Sequence, residues 1–135
     1  MLPTGDDCAA LDRDFTWDVP EFYNIGVDVC DKWAKDTARI ALIHRRADGT
    51  RRDYSFAQMR RLSNRFANVL SRHGVGRGDR VAILLPQCPE TAISHIATYK
   101  LGAIAVPLFT LFGVDALEYR LGNCAARALV TDLAG

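Results

Sequence analysis

Two hydrophobic periods alternate along the chain, one near four residues and one of short continuous runs, and their order predicts the elements. After Asn24, the residues Ile25, Val29 and Trp33 fall at i, i+4 and i+8, with Cys30 and Ala34 alongside. That spacing predicts a helix capped by Asn24, with the stripe facing a core. "RIALIHRRADGTRRDYSF", residues 39–56, reads as a hairpin, because Asp48-Gly49 supplies the positive φ angles of a tight turn between two extended runs. The strongest helix signal begins at Ser55. Ser55 and Gln58 match a capping box, Tyr54 and Met59 can staple the entry, and Met59, Leu62, Phe66, Val69 and Leu70 line one face. Gly74 stands where a left-handed helix end is needed.

The stretch "HGVGRGDRVAILLP", residues 73–86, admits three readings: a phosphate-cradling loop, an Arg77-Gly78-Asp79 adhesion tripeptide, or a turn from helix to strand. Phosphate loops place their glycines after a strand and before a helix, so that free helix N–H groups point at the anion. Here the order is reversed, and the strand, residues 80–86, comes after the glycines. The stretch therefore reads as a helix-to-strand connection.

Beyond Pro86 the alternation becomes regular. Pro89 opens a helix carrying Ile93, Ile96, Ala97 and Leu101, which Gly102 ends. "AIAVPLF" is a second apolar strand, with its extended run at residues 104–108. Asp115 to Leu121 makes a short helix with Leu117 and Leu121 inward and Gly122 as its stop, and residues 128–132 form a third strand. Strands joined through helices by short connections imply a parallel sheet with right-handed crossovers. The predicted class is α/β: a β-hairpin followed by βαβαβ units with a small parallel sheet, of a kind normally covered on both faces.

Composition narrows the class. At 135 residues the chain fits one domain, and 49% hydrophobic with 24% charged residues excludes a disordered polypeptide. No apolar run reaches membrane-spanning length, and Met1 to Asp7 lack the basic and apolar regions of a signal peptide, so a cytoplasmic protein is expected. The net charge of +1 hides an acidic leader, residues 1–21, and an arginine-rich stretch from Arg45 to Arg80. Arg60, Arg61, Arg65 and Arg72 lack interleaved aromatics and read as the wet face of a helix rather than a nucleic-acid surface.

Candidate chemistry is sparse. Cys8, Cys30, Cys88 and Cys124 form no C-x-x-C pair, so neither a zinc site nor a disulfide framework is indicated. His44 ends a strand, His73 lies in the last turn of a helix, and His95 falls on a polar stripe with Thr91 and Thr98. Asp79, Asp115 and Asp132 stand at element ends, where carboxylates cap, and no pair is spaced for acid and base roles. There is no G-x-S-x-G elbow. Taken singly, the residues describe a scaffold with no catalytic group and no metal site.

Several segments in order carry more. "YSFAQMRRLSNRFANVL", "GVGRGDRVAILLPQCPE", "YKLGAIAVPLF" and "ALEYRLGNCAARALVTD" resemble the N-terminal part of the adenylate-forming acyl-CoA synthetases, the AMP-binding superfamily, across nearly everything from Phe22 to Asp132. The family's early T-Y-x-E-L, N-x-x-A, G-D-R-V-A-I and K-x-G-A-x-x-V-P segments correspond here to Asp53 to Phe56, Asn64 to Ala67, Gly78 to Ile83, and Lys100 to Pro107. Phe56 departs from the pattern, standing where an acidic or similar residue is commoner. Within that superfamily, "FYNIGVDVCDKWA" and "FTLFGVDALEYRL" look closer to acetyl-, medium-chain and aryl-CoA ligases than to peptide-synthetase adenylation domains.

The resemblance implies a ligase that converts a carboxylic acid and ATP, with Mg2+, to an acyl-adenylate and passes the acyl group to coenzyme A. It implies that residues 22–135 are an incomplete N-terminal α/β subdomain, because the family's Ser/Thr/Gly-rich phosphate loop and later lysines match nothing here. The 135 residues alone are then expected to be inactive. One site residue follows: acetyl-CoA synthetases approach the CoA nucleotide with a Phe-Gly-Gly-Phe loop, and this chain has Phe109-Thr110-Leu111-Phe112, which makes Phe109 a candidate to stack on adenine. The alternative is a non-catalytic α/β binding or oligomerisation module. In either case an unpaired sheet edge or apolar face favours self-association, and neither nucleic acid nor membrane is an expected partner.

Overall fold

The computed structural model describes residues 8–17 and 20–133. Two short helices come first, α1 (Cys8–Asp14), inside the stretch read as an acidic leader, and α2 (Ile25–Val29), followed by a single 3-10 turn at Asp31–Trp33. The hairpin β1 (Ile40–Arg45) and β2 (Arg51–Ser55) leads into the long helix α3 (Phe56–Arg72). Then come β3 (Arg80–Leu84), α4 (Pro89–Lys100), β4 (Ile104–Pro107), α5 (Val114–Asn123) and β5 (Ala128–Thr131).

The predicted α/β architecture is present. β1 and β2 pair antiparallel, and β4, β3 and β5 form a parallel sheet in that order. β3 is central, which explains its unbroken apolar run: Val81, Ala82 and Ile83 are no more than 2% exposed. Side chains alternate across the sheet. Val81 and Ile83 join Ala67, Leu70 and Ala97 of α3 and α4, whereas Ala82 and Leu84 join Leu117 and Leu121 of α5. The chain moves one way from β3 to β4 and back past β3 to β5, with α4 and α5 on opposite faces. Reversing direction and face together preserves the hand of the crossover, so both connections obey one handedness.

Three helix ends share one geometry. After α3, Gly74 N donates to Ser71 O and Val75 N to Leu70 O; after α4, Gly102 N donates to Tyr99 O and Ala103 N to Thr98 O. After α5, Ala125 N donates to Gly122 O and Ala126 N to Leu121 O. This paired pattern closes a helix through one left-handed residue, and the φ angles are 80° at Gly74, 66° at Gly102 and 47° at Ala125. The expected stop at Gly122 is therefore corrected. Gly122 lies inside α5, and an alanine takes the left-handed place.

Two other expectations need correction. The stripe Ile25, Val29 and Trp33 is exposed, at 47%, 44% and 38%, while Cys30 and Ala34 are buried. The buried line is Gly26, Cys30 and Ala34, one position along from the apolar stripe, and it continues through the point where the helix stops at Val29 and restarts as a 3-10 turn. At the hairpin, only Gly49 has positive φ, and Arg46 N donates to Thr50 O at 2.9 Å. The connection is a longer loop in which the Asp48 carboxylate accepts from Thr50 N at 2.8 Å.

The capping box forms as expected: Ser55 Oγ accepts from Gln58 N, and Gln58 Oε1 accepts from Ser55 N. Tyr54 and Met59 share a second core with Cys30, flanked by Leu62, Ile93 and Ile96. Val69, placed on the inward face by its spacing, is 45% exposed. Lys100 fastens this region. Its ammonium lies 2.7 Å from Asp31 Oδ1 and donates to Asn64 Oδ1 at 2.6 Å, while its carbonyl accepts from Asn24 Nδ2 at 3.1 Å. Gly26 fits because a Cβ there would come within 2.5 Å of Lys100 Cγ.

Candidate functional site

In an open parallel sheet, ligands gather outside the carboxyl ends of the strands where neighbouring strands send their connections to opposite faces. β3 and β4 are such a pair, since the loop after β3 enters α4 on one face and the loop after β4 enters α5 on the other. The candidate site is therefore the pair of loops 85–88 and 108–113.

The second loop is anchored at its start. Leu108 is buried against Ala82 and Leu84, and its N–H donates to Ile83 O at 2.9 Å. The chain then turns, with Phe112 N donating to Phe109 O at 3.0 Å. The turn places Phe109, 61% exposed, on the surface at the end of β4. Its ring meets Phe112 edge-on, with centroids 6.0 Å apart and planes at 64°. The Arg120 guanidinium lies 4.1 Å over the Phe112 ring, and its Nη1 donates to Ala116 O at 3.0 Å. The site can thus offer an aromatic face and a cation that α5 holds in place. The sequence marks Phe112 only as the second phenylalanine of the Phe109-Thr110-Leu111-Phe112 segment, and Arg120 carries no mark beyond its i to i+4 spacing from Ala116.

The first loop is closed by Thr91, whose Oγ1 donates to Pro86 O at 2.6 Å. A cleft of about 370 Å³ lies between this loop, the start of α4 and β1, and His44, Cys88 and His95 share its lining. His95 Nδ1 is 3.2 Å from Tyr99 Oη, and burial pushes the imidazole below its ordinary value. The polar stripe expected around His95 is not a wet face. Thr98 is fully buried, Ser94 nearly so, and their hydroxyls donate to Ser94 O and Glu90 O one turn back.

The other sequence candidates are dispersed. His73, the residue that caps the end of α3, and Asp115 in α5 are exposed and far apart in the chain, and Asp132 lies just beyond β5. Asp79 is structural, because its Oδ2 accepts from Gly76 N at 2.8 Å and so closes the glycine turn. Arg80 beside it donates to the carbonyls of Cys124 at 2.7 Å and Ala125 at 2.8 Å, bringing positive charge to the C-terminal end of α5. Gly78 has φ 81° and donates to Gly102 O at 3.0 Å, which settles residues 73–86 as a helix-to-strand connection. Arg60, Arg61, Arg65 and Arg72 are exposed, as a solvated helix face requires.

Among the described residues no three His, Cys, Asp or Glu side chains gather as a metal site, and no helix is long and apolar enough to cross a membrane. A second groove, about 810 Å³, lies at the amino ends of the strands beside Arg77, Lys100 and Gly102. The N-cap Asn24 of α2, the C-terminal Lys100 of α4 and the cations Lys32 and Arg77 line it together. Asp28 in this groove is held below the usual carboxylate range by hydrogen bonds from Lys32 and Tyr23.

The sequence profile of the AMP-binding enzyme family matches residues 30–135. The chain is 30% identical over 130 residues to the mouse mitochondrial acyl-coenzyme A synthetase ACSM3, covering 91% of this chain and 22% of that protein. It is 37% identical over 110 residues to acetyl-coenzyme A synthetase of Gemmatimonas aurantiaca, covering 80% and 17%. Among solved structures, the Brucella canis acyl-CoA synthetase superposes with a TM-score of 0.80 at 38% identity, over 83% of this chain and 20% of that one. A Mycobacterium tuberculosis fatty acyl CoA synthetase superposes with a TM-score of 0.71 at 30% identity, over 82% and 22%. The chain spans about a fifth of the length of these relatives. With the parallel sheet, its paired crossovers and the match over residues 30–135 in agreement, this chain belongs to the AMP-binding enzyme family.

Proposed function

We propose that residues 22–135 are the N-terminal α/β subdomain of an acyl-CoA synthetase, with Phe109 at the coenzyme A subsite. In the proposed reaction a carboxylate oxygen attacks the α-phosphorus of ATP and pyrophosphate leaves. The CoA sulfur then attacks the acyl carbonyl carbon, AMP leaves, and a thioester remains. The observation that carries this reading is the family match over residues 30–135, joined to relatives named as acyl- and acetyl-CoA synthetases.

The described residues fit part of this chemistry. An exposed phenylalanine at the carboxyl edge of the sheet suits a purine ring, which stacks on aromatic faces. They do not fit Mg2+, for no set of metal ligands comes together among them. No step of ATP activation is assigned to these residues, and it belongs to the remainder of a full-length enzyme. The partners are accordingly small molecules: a carboxylic acid, ATP and CoA.

The test is Phe109→Ala in a full-length synthetase carrying these residues. The KM for CoA is expected to rise about fivefold, in line with the loss of one aromatic stack. The KM for ATP and carboxylate-dependent pyrophosphate exchange, which precede CoA, should not change. An unaltered KM for CoA would remove Phe109 from the subsite.

A further inference from the structure

We propose that Arg120 is a positioning residue for the CoA subsite: stacked on Phe112, it locks the 109–112 turn so that one face of Phe109 stays open to a purine. The proposal rests on the CoA reading above and adds a residue to it.

The turn has little else to hold it. Leu108 ends the anchored strand, and from there Phe109 is 61%, Leu111 81% and Val114 78% exposed. Within that span the contacts run in series. Ala116 O accepts from Arg120 Nη1 at 3.0 Å, which fixes the guanidinium one turn along α5. The guanidinium covers Phe112 at 4.1 Å, and Phe112 meets Phe109 edge-on at 6.0 Å. The backbone bond from Phe112 N to Phe109 O closes the turn around this ladder. Because an edge-to-face contact involves at most one face of Phe109, the ladder orients the ring and leaves the other face clear of Phe112 for a purine. Among the described residues no carboxylate lies within ion-pairing distance of Arg120, so its charge remains available to the stack.

Arg120 is exposed, so replacing it should leave the fold intact. In a full-length synthetase, Arg120→Gln is expected to raise the KM for CoA severalfold, a change of the size a cation–π contact supports. The KM for ATP and the rate of pyrophosphate exchange should hold. Arg120→Lys, which keeps a cation over the ring, should recover part of the loss. If Phe109→Ala raises the KM for CoA and Arg120→Gln does not, the positioning role is overturned and the CoA subsite stands. If neither moves it, both fall. A parallel rise in the KM for CoA and ATP, or no recovery with lysine, would show a general structural role and overturn the proposal.

Discussion

Ala125 fills at the end of α5 the left-handed position that Gly74 and Gly102 fill after α3 and α4. Its Cβ crowds the following carbonyl in that conformation, at a cost of about 1 kcal/mol. Gly122, three residues earlier, is exposed inside the helix, and an added Cβ would meet nothing within 4 Å. Two substitutions should therefore stabilise the chain, Ala125→Gly by relieving strain and Gly122→Ala by reducing the freedom of the unfolded state, each by about 0.5 to 1 kcal/mol. Urea unfolding of both variants checks this. A Gly122→Ala variant less stable than the parent would mean that α5 ends where the sequence suggested. That misreading had a physical cause: glycine is the usual left-handed residue, so a glycine near the end of a periodic stretch attracts the assignment, while an alanine under strain carries no mark. The site was legible to the same degree. Phe109 could be placed at a strand end, but the stacking of Arg120 on Phe112 depends on how the loop turns.

Among the elements, α3 shows what pattern can specify. Its entry is fixed by the reciprocal bonds of Ser55 and Gln58 and its exit by Gly74, both visible as local residue types at fixed offsets. Ser55→Ala should cost about 1 kcal/mol, lowering the urea midpoint with the slope unchanged. An unchanged midpoint would mean that packing of Met59 and Leu70 alone holds the helix. α4 was less legible because its period mixes two environments. Ile93 and Ile96 join the core of Tyr54 and Met59, Ala97 joins that of Val81, and the hydroxyls of Ser94 and Thr98 are buried by bonding to their own helix. α2 misled for the opposite reason: its apolar stripe is exposed, and the buried positions are the small residues Gly26, Cys30 and Ala34.

At the scale of the molecule, the two faces of the parallel sheet are unequal. Among the described residues, α3 and α4 cover one, while α5 alone lies on the other, where Leu129 is 44% exposed. β4 and β5, among the described residues, also leave one edge each unpaired. Open edges and apolar surface promote association, so the isolated 135-residue chain should form dimers or larger species as its concentration rises through the micromolar range. Light scattering after size exclusion reads this directly, and a monomer at every concentration would contradict it. The central claim is that these residues support catalysis carried out by polypeptide outside them. Carboxylate-dependent exchange of pyrophosphate into ATP tests it, with purified residues 1–135 assayed beside a full-length synthetase that carries them. The account predicts exchange by the longer protein and none by the shorter, and measurable exchange by residues 1–135 alone would contradict it.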